Sequence, residues 1–225
     1  MKRSALLCVL ALLLGAAAGL LLNVSWLDGQ GLLAPSAAAV PNNALFTPNP
    51  AATSVDSDSN APLLEAGNAV LAALKEDDIQ TLSALVDPER GVTFTPYSTV
   101  DPHSDLTFSS DQLTQAGVNG TRYVWGYTQG KGEAITMTLP EYLDSYVFNI
   151  DYTQAPVIGV NSILSSGNSL ENVRDAYPED RFLEYYFPGQ TPEAGALDWC
   201  ALKLVFSDEG GSYRLVGIIH SEWTI

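Results

Sequence analysis

The chain contains two histidines, His103 and His220, and each sits among carboxylates. His220 is followed by Ser221 and Glu222 in "LVGIIHSEWTI". Imidazole titrates near neutral pH, so a histidine beside a carboxylate can move protons in a half-buried pocket. His103 lies in "VDPHSD", between Asp101 and Asp105. Oxygen and imidazole donors at that spacing could ligate a divalent cation. The run has no glycine at its bend and no glutamate at calcium-loop spacing, so it does not match that loop. Asp-Pro and Ser-Asp are also ordinary turn formers, whose side chains satisfy nearby amides. No metal and no cofactor is assigned. His220, Glu222, His103 and Asp101 remain candidate acid–base groups, with no catalytic role fixed on any of them.

Aromatic residues are the second chemical resource. A pocket lined by Tyr97, Trp125, Tyr185 and Trp223, with Arg122 or His220 at one end, would suit a ring or sugar ligand. The alternative is that these rings are simply core. No GxSxG elbow, SxxK, HExxH, P-loop or GxGxxG in a strand–helix setting occurs. Cys200 stands in an apolar segment and reads as a buried, inert thiol. Cys8 lies in the N-terminal apolar run, so no internal disulfide is expected.

The elements that must position these residues follow from periodicity. "PLLEAGNAVLAALKEDD" places Leu63, Ala66, Val70 and Leu74 on one helical face. Asp78 caps a second helix, "IQTLSALV", which "DPERG" ends. "VTFTPY" is a strand, and "SDQLTQAGV" a short helix. "TRYVWGYTQGKGEAITMT" is a hairpin turning at "QGKG". Thr138 and Glu141 have capping-box spacing for the helix "LPEYLDSYVFN". Four strand candidates follow: "IGVNSILSS", "RFLEYYFPG", "DWCALKLVF" and "YRLVGIIHSEWTI", with a short helix "SLENVRDAY" after the first. Helices and strands are segregated. The fold class is α+β: a curved antiparallel sheet wrapped around a helical hairpin and a third helix, cone-like.

Strand alternation predicts Leu215, Gly217, Ile219, Ser221 and Trp223 on one face of the last strand. Arg214, Val216, Ile218, His220 and Glu222 take the other. Glu184 and Lys203 interrupt neighbouring apolar strands. On a shared face they would form a polar row with His220 and Glu222. That row would be a solvated outer face with ion pairs, or an acid–base site, with a satisfied structural histidine as a third reading.

The order of elements resembles the nuclear-transport-factor-2-like (cystatin-like) α+β cone over about Pro62 to Ile225. The strings "GVTFTPYSTVD", "YVWGYTQGKGEAITMTLPEYLDSYVFNIDY", "GNSLENV", "YYFPG", "LDWCALKLVF" and "LVGIIHSEWTI" resemble a group of uncharacterised exported proteins of Gram-positive bacteria. That resemblance implies fold and export and brings no activity. The cone fold hosts isomerases, dehydratases, dimerisation modules and binders, so it selects none of them.

Composition bounds the partners. The 225 residues carry a formal charge of -16 and are 46% hydrophobic. Such a negative chain disfavours nucleic acid, which needs a basic surface. Lys2 and Arg3 precede an apolar run from Ala5 to Leu22, a length between a signal core and a membrane span. Residues 1–27 are read as a signal anchor or signal peptide, 28–61 as a disordered tether, and 62–225 as the α+β domain. The membrane is met only through the N-terminal segment. The protein is expected outside the cytoplasm, anchored or secreted. Two functions are weighed. One is a binding or interaction module for a small ligand, cell-wall fragment or protein. The alternative is a small-pocket isomerase, dehydratase or hydrolase using a His/carboxylate acid–base pair. The binding module is preferred, and a homodimer is compatible with either.

Overall fold

The computed structural model describes residues 57–165, 167–189, 191 and 197–223. The signal or anchor assigned to 1–27, and the tether up to residue 56, lie outside the described residues. The first helix, α1 (Ser57–Lys75), opens upstream of Pro62. Its inward stripe is Leu63, Val70, Leu71 and Leu74, the i, i+7, i+8, i+11 spacing of one helical face. Among the described residues no helix is long and apolar enough to cross a membrane.

Asp78 caps α2 (Ile79–Leu85), accepting from Thr81 N at 2.9 Å. Then come β1 (Val92–Thr95), β2 (Leu106–Phe108) and α3 (Ser110–Val118). The hairpin strands β3 (Tyr123–Tyr127) and β4 (Ala134–Met137) form a separate two-stranded ribbon. The third helix expected from sequence is split. Its first turn, α4 (Leu139–Tyr142), carries the Thr138/Glu141 capping box, and a π-helical turn, Leu143–Val147, continues it. The segment before the last strands is also less regular than alternation suggests. Among the described residues it contains a 3-10 turn (Tyr152–Gln154), β5 (Val157–Val160) and a one-turn helix, α5 (Val173–Ala176).

β6 (Arg181–Phe187), β7 (Cys200–Asp208) and β8 (Tyr213–Glu222) complete a six-stranded sheet in the order β2-β1-β8-β7-β6-β5. The α+β class is as expected, but the sheet is mixed. β1 runs parallel to β8 and antiparallel to β2. Helices, ribbon and β5–β7 intervene between β1 and β8, which gives the long crossover that a parallel pair requires.

One face of the sheet packs on the helices: Leu183, Tyr185, Leu202, Leu204 and Ile218 join Leu63, Val70 and Leu82 in one core. The opposite face is covered by the chain itself. Val100, Val173 of α5 and Tyr177 just after it close over Phe182, Val205, Val216 and Ile219. Alternation along β8 is interrupted. Val205 pairs with Gly217 and Phe206 with Leu215, so Val216 is an extra residue. This bulge turns Leu215 to the helical core and Val216 to the covered face, reversing both assignments from simple alternation.

The expected polar row does not form. Lys203 pairs with Glu184 on one side and Ile219 on the other, whereas His220 pairs with Leu202. Lys203 and Glu184 therefore share the covered face, and His220 and Glu222 the helical one. Neither is solvated: both Lys203 and Glu184 are 0% exposed. The ammonium lies 3.3 Å from Glu184 Oε1 and 2.7 Å from Glu171 Oε2. It also donates to Ser221 Oγ at 3.2 Å and Ser165 Oγ at 3.4 Å. Glu184 accepts from the backbone of Leu164 at 2.5 Å and of Ser165 at 3.0 Å. Asn172 clasps Val100, accepting from its N–H at 2.8 Å and donating to its carbonyl at 2.9 Å. The cluster thus ties the cover to the sheet.

Breaking such a pair from one side leaves a charge buried. Lys203→Met is expected to cost about 3–5 kcal/mol in denaturant unfolding. Lys203→Met with Glu184→Gln should recover part of it, since the buried charge at 184 is gone, although one amide oxygen can accept from only one of Leu164 and Ser165, which now bond to separate oxygens. Equal stability of the single variant and the wild type would show that the cluster adds nothing.

Candidate ligand-binding site

A ladder of aromatic rings runs from the core to one end of the helical face. Trp125 stacks on Tyr142 with centroids 3.9 Å apart and planes at 9°. Tyr142 stacks on Tyr146 at 5.2 Å and 11°. Tyr146 then meets Tyr97 edge-on at 6.3 Å and His220 edge-on at 5.8 Å. Tyr142 and Tyr146 are four residues apart, and the π-helical turn begins between them. Its wider bond, Phe148 N to Leu143 O at 2.7 Å, lets the chain leave the helix at Phe148 and Asn149. Such π turns recur at functional sites.

His220 lies under this end, 1% exposed. Its Nδ1 is 3.2 Å from the Pro96 carbonyl. A carbonyl can only accept, so Nδ1 carries the proton and Nε2 is the acceptor. Nε2 faces the Asn149 amide nitrogen at a long 3.5 Å. Asn149 also accepts from the Tyr152 hydroxyl at 3.2 Å, so it bridges a buried phenol and the imidazole. Burial holds the imidazole pKa down to about 4; the Lys203 charge adds to this, against the opposing Pro96 carbonyl. His220 is therefore neutral at neutral pH and a weak base.

Around it stand half-buried Tyr97, Tyr146 and Glu222, with Asn149 exposed. Burial raises the Glu222 carboxyl and the Tyr146 phenol, the latter with help from Tyr97. The Tyr142 hydroxyl is buried with no hydrogen-bond partner among the described residues. Its pKa is raised by burial and by nearby Asp105, Tyr146 and Tyr97. The arrangement offers flat aromatic faces, one fixed acceptor in His220 Nε2, and an amide at the rim. That suits recognition of a ring with a donor group better than proton transfer.

Of the residues singled out in the sequence, this end assembles Tyr97, His220 and Glu222. Trp125 sits two rings behind, 0% exposed, its Nε1 donating to Met137 O at 3.0 Å. Tyr185 is buried against Gly67 of α1, where any Cβ would strike its hydroxyl. Arg122 is at the exposed base of the ribbon, paired with Glu141 at 2.9 Å. Trp223 follows β8 and is half-buried. His103 and Asp101 belong to a turn that satisfies itself. Asp101 accepts from His103 N at 3.0 Å and Ser104 Oγ at 2.9 Å, which lowers its pKa. Asp105 accepts from Asp101 N at 3.0 Å and Thr95 Oγ1 at 2.7 Å. Among the described residues no group of three or more His, Cys, Asp or Glu could hold a metal. Sequence reasoning missed Asn149, Tyr142 and Tyr152. The Tyr142/Tyr146 spacing on a predicted helix was the available signal; Asn149 had none.

The chain matches no protein-family model and no curated protein. Among solved structures it is similar to a protein of unknown function from Pectobacterium atrosepticum, at 9% identity and TM-score 0.35. That match covers 75% of this chain and 93% of the other. A candidate dehydratase of the nuclear-transport-factor-2-like family from Streptomyces avermitilis matches at 12% identity and TM-score 0.33, over 73% and 96% of the two chains. A domain of unknown function with a cystatin-like fold from Nostoc punctiforme matches at 8% and 0.34, over 75% and 80%. These matches give no sequence-level family, and they bring no activity or ligand to this chain.

The histidine makes stability depend on pH. Its folded pKa is depressed, so its neutral form's contribution is complete above about pH 6.5, its ordinary value. It is lost as pH falls toward 4. Over that window the wild type should lose about 3 kcal/mol more than His220→Gln, from a shift of that size. Parallel pH–stability curves for the two proteins would show that His220 is not held neutral by folding.

Proposed function

We propose that this chain is an extracytoplasmic binding module, anchored at or secreted across the membrane by its N-terminal segment. Its ligand site is the end of the helical face ringed by Tyr97, Tyr146, Asn149 and Glu222. The observation that carries the reading is His220. Its tautomer is set by the Pro96 carbonyl, and its only other hydrogen-bond partner among the described residues is the distant Asn149 amide. A ligand hydroxyl can open that long contact, donating to Nε2 and accepting from the Asn149 amide nitrogen, while the tyrosines take an apolar or sugar face. The alternative, an acid–base enzyme using His220 with Glu222, is less well supported. A histidine with a pKa of about 4 is neither a proton donor nor an effective base at neutral pH. The basic N-terminus and long apolar run support export.

Thermal-shift screening of the full-length chain against neutral ring compounds and peptidoglycan fragments tests the site. A true ligand at one hundred times its Kd should raise Tm by about 5–10 °C. Asn149→Ala should abolish that rise while leaving the unliganded Tm within a few degrees. Cell fractionation should find the domain accessible to added protease on intact protoplasts. Hits insensitive to Asn149→Ala would reject this site, and a protease-protected domain would reject the location.

A further inference from the structure

A recess of about 260 Å³ lies between the edge strand β2 and helix α3. Leu106, Phe108 and Tyr123 form its apolar wall. Tyr123 is half-buried and held edge-on against the Phe108 ring at 5.2 Å. The facing wall is a stripe of carboxamides, Gln112, Gln115 and Asn119. Their i, i+3, i+7 spacing places them on one side of α3 and its cap. Thr107 is the remaining lining residue, so no charged side chain lines the recess in a chain of net charge -16.

Two of the amides are oriented in advance. Gln112 Oε1 accepts from Ser109 N at 2.8 Å, as the second half of a capping box. Asn119 Oδ1 accepts from Thr121 N at 2.8 Å. Each therefore has its oxygen engaged by the backbone. Among the described residues, neither amide nitrogen has a hydrogen-bond partner. Two N–H₂ donors are thus restrained, through their own oxygens, in the lining that also holds the Tyr123 ring, which leaves less rotamer freedom to lose on binding.

We propose that this recess binds a neutral saccharide, one pyranose ring at a time. The ring's C–H face packs on Tyr123, and its hydroxyl oxygens accept from Gln112 and Asn119. The recess lies just under the roughly 300–1,000 Å³ of drug-sized sites, which suits a single ring. The absence of lining charge disfavours phosphates and carboxylates. The site goes beyond the binding function proposed above and is independent of His220.

The test is an NMR titration of the full-length chain with N,N′,N″-triacetylchitotriose and, separately, maltotriose. One of the two sugars should move the side-chain amide signals of Gln112, Gln115 and Asn119, with millimolar affinity. Gln112→Glu and Asn119→Asp each keep the oxygen that caps the backbone and remove the donor. Both should fold as the wild type does and bind at least tenfold more weakly. Lys131→Ala, at the exposed ribbon turn, should bind unchanged. Unmoved amide signals with both sugars, or wild-type affinity in both variants, would overturn the proposal. Shifts confined to Asn149 and its neighbours would overturn it too, while leaving the His220 site standing.

Discussion

Strands β7 and β8 are buried on both faces, and the rest of the molecule is arranged around that constraint. In most antiparallel sheets one face is solvated and takes the polar half of the alternation. Here the helices occupy one face, and the chain's own loops and α5 occupy the other. Every side chain from Ala201 to Ser207 and from Leu215 to Ser221 is buried. A charge on either face must therefore be neutralised from within. Lys203 meets that demand with two carboxylates and two hydroxyls, and His220 meets it by remaining uncharged.

The two solutions have different consequences. The Lys203 cluster recruits groups from distant parts of the chain: Ser98 from the segment after β1, Ser165 and Glu171 from the cover, Glu184 from β6. Ser98 donates to Ser221 at 2.9 Å, which closes the circuit. An ion cluster with its polar atoms engaged holds geometry more than it adds affinity or reactivity. The imidazole is engaged on one side only, by Pro96. Its second nitrogen meets the Asn149 amide through a long 3.5 Å contact. Reactivity and recognition are therefore expected on the helical face, and rigidity on the covered one.

Much of the framework was legible in the sequence. Capping signals at Asp78 and Thr138, and the glycines of the ribbon turn, are local chemistry, and local chemistry survives folding. The stripe of α1 and the strands from Arg181 onward followed from periodicity. The parallel pairing of β1 with β8 was not legible, because alternation says nothing of strand direction. The partition of the charged residues was not legible either. Periodicity assigns faces within a strand, but it cannot align faces between strands without the register, and the register contains a bulge. The candidate site was half visible: His220, Glu222 and Tyr97 stood out as residue types. Asn149 became relevant only because a π turn delivers it to the imidazole.

The extra residue at Val216 makes β8 two short strands of opposite parity joined end to end. His220 and Ser221 are neighbours whose separate roles depend on that parity alone. A one-residue insertion or deletion between Gly217 and Ile219 would exchange them, thrusting the imidazole among Lys203 and its carboxylates and turning a hydroxyl toward the tyrosines. The terminal half of this strand can therefore tolerate changes of residue type far better than changes of length. Related chains that keep this layout should vary there in spelling but not in spacing.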